Sequence, residues 1–354
     1  MDLRQQILDT PRALTETLEK GRPEFESLVR RVRWGEGAIF MVGAGSSYIA
    51  ALTGAHAFET LLGWPVIVRT AADFEAYGLG VLRPRSVVLV LSNSGETTET
   101  LDATRSARAR GAVVLAMTNN PNSELTQIAD LALSLRAGSP TEPGLQTTLC
   151  QHAALGYLSW VAALTLKRHH QQLEVWKEEF EKLPVHIEWI QTHLADAARA
   201  LASELKGVRN LTVVGGGFYY PVGLEVARML TRLAHASAEG KDVAALQGAD
   251  LPPASEDSAM VLLSSSHCRL KKKIHAVVAQ AKQTGERVYA VTDSNDRELS
   301  RATKLSILLP DLSEMTGSIL SLALMQSVVY HMTRNAAREA NRPDAPPLSI
   351  SEDA

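Results

Sequence analysis

The chain has 354 residues, 45% of them hydrophobic and 21% charged, with a formal net charge of −3. This is enough for two domains with full cores in an ordinary globular protein, and the charge gives no pull towards nucleic acid or a membrane surface. The polar opening Met1-Asp-Leu-Arg-Gln-Gln does not read as a signal peptide, and no apolar stretch is long and uncharged enough to span a bilayer.

Residues 1–34 read as a charged helical segment with an apolar stripe of Leu3, Ile7, Leu14 and Leu18, which Pro11 interrupts to start a second helix. From 35 to 150 strand and helix alternate. Strands are expected at 38–42, 65–69, 86–91, 112–117 and 131–135, and helices at 47–62, 97–110 and 122–129. The run at 86–91 is almost continuously apolar, as in a parallel sheet covered on both faces. Residues 151–206 read as a helical connection broken at Pro184. The α/β pattern returns over 207–340 and closes on a helix at 318–340 with Ser318 as its cap; residues 341–354 form a Pro-rich tail.

The two α/β stretches are copies. Met41-Val-Gly-Ala-Gly-Ser-Ser-Tyr48 corresponds to Val213-Val-Gly-Gly-Gly-Phe-Tyr-Tyr220, and Leu91-Ser-Asn-Ser-Gly-Glu-Thr97 to Leu263-Ser-Ser-Ser-His-Cys-Arg269, both 172 residues apart. Met117-Thr118-Asn119 and Val291-Thr292-Asp293 follow at an offset of 174. The first copy keeps glycine- and hydroxyl-rich loops that the second has lost, and this asymmetry puts the ligand site in the first copy.

Both loops lie between a strand and a helix. In Gly43-Ala-Gly-Ser-Ser47 the glycines permit a sharp turn and close backbone approach, and the helix start offers unpaired N–H groups. In Ser92-Asn-Ser-Gly-Glu-Thr97 three hydroxyls surround one glycine, with Ser94 as the expected N-cap and Thr97 in the first helical turn. Such donors suit a phosphate dianion, and with no Lys or Arg in the loop they would act with the helix dipole. The alternatives are a plain tight turn and an ordinary capped helix. A nucleotide is disfavoured, because neither a complete Gly-x-Gly-x-x-Gly nor a Gly-x-x-x-x-Gly-Lys-Ser/Thr loop is present. Cys150 and Cys268 form no disulfide framework, a cytoplasmic location is the expectation, and the adjacent His169 and His170 have no zinc spacing. No metal or other cofactor is expected.

These residues resemble the sugar isomerase (SIS) domain family. Ala44–Tyr48 and Ser92–Thr97 look like its phosphosugar loops, Ala72-Asp-Phe-Glu75 like its Ala-Ser-Glu-Phe segment, and Pro143-Gly-Leu-Gln-Thr-Thr148 like its Gly-Val-Ala-Ser-Thr turn. Tyr220-Pro-Val-Gly-Leu-Glu225 is similar to its Tyr-Pro-x-Ala-Leu-Glu helix start. The duplication resembles the double-SIS isomerase half of glucosamine-6-phosphate synthase and its deaminase and fructosamine-6-phosphate deglycase relatives. The resemblance implies two tandem doubly wound, flavodoxin-like α/β domains with parallel sheets flanked by helices. It implies a phosphosugar as the small-molecule partner, a homodimer, and phosphate ligands Ser47, Ser92, Ser94 and Thr97 with Gly45, Ser46 and Asn93 adjoining. Leu145, Gln146 and Thr147 would border the sugar, next to a turn at Gly144. The short stretch before residue 38 does not match the synthase's glutamine-hydrolysing half.

Three acid–base groups of the family are not in their expected places. The glutamate that moves the proton is replaced by Arg232, which stays protonated; the ring-opening histidine falls in Leu246-Gln247-Gly248-Ala249; and the C-terminal lysine has no counterpart in Pro346-Pro-Leu-Ser-Ile350. The candidate replacements are Glu225, His235 and Glu239, with Lys241 and Asp242 nearby, Glu225 and His235 being expected on neighbouring faces of one helix. His267 is expected to be structural. The main reading is an isomerase or deaminase acting on an aminosugar or keto-sugar 6-phosphate. The alternative is a phosphosugar-binding sensor or regulatory protein without catalysis, and a purely structural oligomer comes third.

Overall fold

Among the described residues, ten strands form two five-stranded parallel sheets, one in each half of the chain. The computed structural model describes residues 2–139, 143–246 and 254–340, with the backbone alone for 335–340. The expectations at Gln247, Gly248 and the tail 341–354 lie outside the described residues.

The first half opens with α1 (Leu3–Thr15), which continues through a π-helical turn at Glu16–Lys20, and α2 (Arg22–Arg31). Then come β1 (Ile39–Gly43), α3 (Ser46–Leu62), β2 (Val66–Thr70), the single turn α4 (Ala71–Asp73) and β3 (Val87–Ser92). The half closes with α5 (Thr98–Ala109), β4 (Val113–Thr118), α6 (Glu124–Ile128) and β5 (Leu131–Ser134). Three helices follow, α7 (Leu145–Thr165), α8 (Leu173–His193) and α9 (Ala195–Glu204). The second half contains β6 (Asn210–Gly215), α10 (Tyr219–Ala234), β7 (Ser237–Asp242), β8 (Ser258–Leu263) and α11 (Lys271–Gln283). It ends with β9 (Val288–Asp293), α12 (Arg297–Ala302), β10 (Leu305–Leu309) and α13 (Glu314–Ala340).

The sheet orders are β2-β1-β3-β4-β5 and β7-β6-β8-β9-β10, the same doubly wound arrangement twice. β1 shows why a parallel sheet forms. All five of its residues are buried, Phe40 and Val42 against α5 and Ile39 and Met41 against the core shared with the other half. In register, Gly43 stands beside Leu91 and Ser92 beside Thr118, so the loops after β1 and β3 leave the sheet next to each other. This is the switch point where the strand order reverses, the place where open α/β sheets leave a crevice.

One apolar core joins the halves through α1, α7, α8, α10 and α13, and the stripe residues Ile7, Leu14 and Leu18 of the N-terminal segment are buried in it. Two proline expectations are corrected. Pro11 lies inside α1 and Pro184 inside α8 without breaking either helix. Leu183, Ile187 and Ile190 are buried on both sides of the Pro184 position, and this packing holds a helix that the missing N–H weakens. The closing helix also starts earlier than expected. It begins at Glu314, and Ser318 lies within it, donating to the Met315 carbonyl at 2.7 Å. The buried Glu179 of α8 holds that start by accepting from the Ser313 backbone N–H at 2.8 Å and from the Ser313 and Thr316 hydroxyls.

Candidate functional site

The loop after β1 turns at Gly45, whose φ of +55° lies in the left-handed region. A side chain there would also strike Arg228, since a Cβ would lie 2.9 Å from its Nη2. Ser46 and Ser47 then begin α3, and the buried Ser47 hydroxyl accepts from Gln151 Nε2 of α7 at 3.1 Å.

In the loop after β3, Ser92 Oγ accepts from the Gly95 N–H at 3.0 Å and lies 3.4 Å from Thr97 Oγ1. Ser94 Oγ accepts from the Glu96 N–H at 3.2 Å. Both serines therefore use a lone pair on the loop itself; Ser94 keeps its hydroxyl proton to give, and the Ser92–Thr97 pair keeps one, the polarity an anion requires. The N-cap expectation is corrected: the cap position of α5 is Thr97, not Ser94, and Thr97 makes no side-chain cap bond. Its hydroxyl stands at a helix N-terminus, where backbone N–H groups have no intrahelical partner.

These loops form one wall of a cavity of about 140 Å³. Gly144, Leu145, Thr148 and Gln151, at the start of α7, form its floor. The opposite wall is α10, from the other half of the chain, which presents Glu225, Arg228, Met229 and Arg232. The spacing i, i+3, i+4, i+7 places those four on one helix face.

Glu225 is the chemical centre of that wall. It is 3% exposed, and its Oε1 accepts from Ser46 Oγ at 2.9 Å. Arg228 Nε donates to the same Ser46 oxygen at 3.2 Å, so the hydroxyl links guanidinium to carboxylate. Glu225 Oε2 is buried and has no hydrogen-bond partner. Burial pushes the carboxyl up to about 7, while the Ser46 hydrogen bond and the charges of Arg228 and Arg232 pull it down. A carboxyl poised near neutrality with one oxygen unpartnered can accept and return a proton.

The other candidates lie elsewhere. His235 and Glu225 do not share a helix, because α10 ends at Ala234 and His235 is its left-handed, exposed C-terminal cap. Glu239 is on the edge strand β7, 70% exposed, with Lys241 Nζ at 3.4 Å. Neither residue lines the cavity. Ser46, Ser47, Ser92, Asn93, Ser94, Thr97 and Leu145 do, whereas Gln146 and Thr147 do not. Gln146 turns towards the N-terminal helix and donates to the Asp9 carbonyl at 3.1 Å. Gly45 shapes the turn behind Arg228. The residues that sequence reasoning missed are Arg228, Gln151 and Thr148. Arg228 was within reach, one helical turn from Glu225; nothing local marks the other two.

In the second repeat the matching loop is bonded by the chain itself. Asp293, 2% exposed, accepts from the backbone N–H groups of Ser266 at 2.6 Å, Asn295 at 2.8 Å and Asp296 at 3.2 Å. A carboxylate of the chain thus occupies the donors an outside anion would use. Asn119, its counterpart in the first repeat, turns instead to the Ala137 N–H and the Gly138 carbonyl. His267 pairs with Asp311 at 2.8 Å on the surface. We expect Asp293→Ala to destabilise the fold by about 3 kcal/mol, since it strands buried N–H donors, read as a lower urea midpoint; an unchanged midpoint would show that water replaces the carboxylate.

The SIS domain model matches residues 34–159 and 204–337. Glutamine–fructose-6-phosphate aminotransferase (isomerizing) from Thermococcus kodakarensis is 30% identical over 346 residues, covering 97% of this chain and 56% of that protein. The chain therefore spans little more than half of that relative's length. Among solved structures, the C-terminal domain of glucosamine-fructose-6-phosphate aminotransferase from Francisella tularensis superposes with a TM-score of 0.83 at 20% identity, covering 95% of this chain and 96% of that one. The tagatose-6-phosphate ketose/aldose isomerase of Escherichia coli gives 0.74 at 16% identity, with 98% and 96% covered. With both halves matched, and with two parallel sheets in the same strand order, the chain belongs to the SIS domain family.

Proposed function

We propose that this chain binds a sugar 6-phosphate in the cavity between the 44–47 and 92–97 loops and α10, and acts on it as an isomerase or deaminase of the aminosugar or keto-sugar type. The observation that carries this reading is Glu225: buried, with a free carboxylate oxygen, and facing the hydroxyl loops across one cavity. The phosphate accepts from Ser47, Ser92, Ser94 and Thr97 and from the amides at the start of α5. The open-chain sugar then lies towards α10. Glu225 takes the proton from the carbon next to the carbonyl or imine and returns it to the neighbouring carbon, converting aldose and ketose forms. In an aminosugar the same proton transfer precedes loss of the amine.

Arg232, at the place of the family's proton-moving glutamate, favours a second reading in which the chain binds a phosphosugar without turning it over. Proton NMR in D₂O separates the two: exchange of the C1 or C2 hydrogen of fructose 6-phosphate or glucosamine 6-phosphate supports catalysis, while saturable binding without exchange supports the sensor. The binding step has its own test. Ser47→Ala and Thr97→Ala should each weaken a hexose 6-phosphate about 10- to 100-fold, for a charge-assisted bond of about 1.5–3 kcal/mol; titration calorimetry showing unchanged affinity in both would remove the loops from the site. The same reading includes a homodimer, which sedimentation would test, and a cytoplasmic location, supported by the two unpaired, buried thiols Cys150 and Cys268.

A further inference from the structure

We propose that the N-terminal helix α1 is a working part of the site: its Gln6, together with Gln326 of α13, holds the main chain of Leu145 at the cavity floor and so positions the sugar portion of the ligand. This rests on the phosphosugar reading above and adds two positioning residues to it, neither of which lines the cavity.

The floor is the start of α7, and that start has no cap of its own. Gly144 occupies the N-cap position and has no side chain to offer, while the first N–H groups of a helix lack intrahelical partners. Gln6 supplies an acceptor from α1: the Leu145 N–H donates to its Oε1 at 2.9 Å. The Leu145 carbonyl accepts from Gln326 Nε2 at 2.8 Å. Both glutamines are 1% exposed, and they stand 139 and 181 positions from Leu145 in the chain. One residue of the floor is thus gripped on its N–H side by the N-terminal helix and on its carbonyl side by the closing helix. Beside it, Gln146 Nε2 donates to the Asp9 carbonyl of α1.

α1 is itself keyed in place by polar contact. Pro11 has no N–H to give to the Ile7 carbonyl, four residues earlier, and Gln191 Nε2 of α8 donates to that carbonyl at 2.6 Å. The proline inside the helix therefore frees an acceptor that docks it. The apolar stripe of Ile7, Leu14 and Leu18 buries α1 but does not fix its position along its own axis, because apolar contact is non-directional. Hydrogen bonds are directional, and a buried amide left without a partner is costly, so the glutamines set that position. A slide of α1 would unpair Leu145 at the point where Gly144, Leu145 and Thr148 face the ligand. The phosphate is gripped at the 44–47 and 92–97 loops, so the floor acts on the sugar carbons beyond it.

Titration calorimetry with two ligands tests this: fructose 6-phosphate, long enough to reach the floor, and glycerol 3-phosphate, which presents the same phosphate on a shorter carbon chain. The quantity read is the ratio of the two affinities. It is internal to each protein, so a partial loss of fold does not imitate the result. Gln6→Met and Gln326→Met should each lower the ratio about 5- to 10-fold, the weight of one hydrogen bond. Gln6→Glu keeps an oxygen to accept from Leu145, at a helix N-terminus that favours a carboxylate, and should stay within about twofold of wild type. Unchanged ratios in both methionine variants overturn the inference and leave the phosphosugar reading standing. An equal loss in Gln6→Glu and Gln6→Met overturns it too, since the acceptor would then not matter, as does an equal loss of both ligands in every variant. Failure of wild-type protein to bind either ligand overturns the phosphosugar reading itself.

Discussion

Glu225→Gln should lower kcat by about 100- to 10,000-fold, the usual weight of a positioned general base. Glutamine keeps an oxygen to accept from Ser46 and nearly the same volume, so the wall of the cavity is preserved while the proton acceptor is removed. The pH dependence supplies the sign. A base must be ionised to act, so wild-type kcat/KM should fall as pH drops below about 7, where burial has placed this carboxyl. The residual activity of the glutamine variant should lack that limb. The same shift bears on stability. The folded chain holds the Glu225 proton more tightly than the unfolded chain, whose carboxyl titrates near 4.5. The contribution of Glu225 is therefore fully present below about pH 4.5 and is lost as pH rises through about 7. By this linkage Glu225→Gln should gain on the order of 3 kcal/mol over wild type between pH 4.5 and pH 8. Urea titrations at the two pH values measure it; a constant difference between the proteins would show that the carboxyl is not held at a raised pKa.

Gly95→Ala should remove phosphate-ester binding and destabilise the fold by about 2–4 kcal/mol. Gly95 has φ of +69°, and a Cβ would fall 2.2 Å from Ser123 Oγ and 2.4 Å from Ser123 Cβ, with Thr118 Oγ1 at 3.1 Å. Rotating the serine hydroxyl away leaves the Cβ clash, so the 92–97 loop has to move. That loop is held together by the Gly95 N–H donating to Ser92 Oγ and the Leu125 N–H donating to the Gly95 carbonyl at 3.1 Å. Gly63 provides the comparison. It has nearly the same φ, +67°, but open space around it, so alanine there should cost only about 1 kcal/mol, the backbone effect by itself. Thermal melts and calorimetry with a hexose 6-phosphate distinguish the two; equal effects at both positions would mean that the 95–123 contact does not shape the loop.

Much of the site was legible because its first wall is local. A glycine and a run of hydroxyls after a buried strand are adjacent in the chain, and the strand that precedes them fixes where they emerge. The helix N-cap was misplaced by three residues, at Ser94 rather than Thr97, since both residue types cap helices and only the backbone path between them distinguishes them. The proline breaks failed for a different reason. Pro11 and Pro184 carry the intrinsic penalty expected of them, and burial of their neighbours in the shared core outweighs it. In the second repeat, loss of the loop's glycine and threonine was visible in His267 and Arg269. That Asp293 would bond the vacated amides was not, because the two segments belong to different strands.

The sequence alone determined the duplicated βαβ rhythm, the parallel sheets and the half that carries the hydroxyl loops, because apolar strand runs and glycine turns act over a few residues. Tertiary structure alone decided which acid faces those loops. Ser46 and Glu225 meet across 179 positions of the chain, brought together where α10 packs against α3. His235 and Glu239, equally acceptable by composition, are directed outwards by the left-handed turn that ends α10 and by the edge position of β7. Periodicity records which face of an element is apolar, but not which element from the other half will cover it, and the cavity wall was decided by that packing.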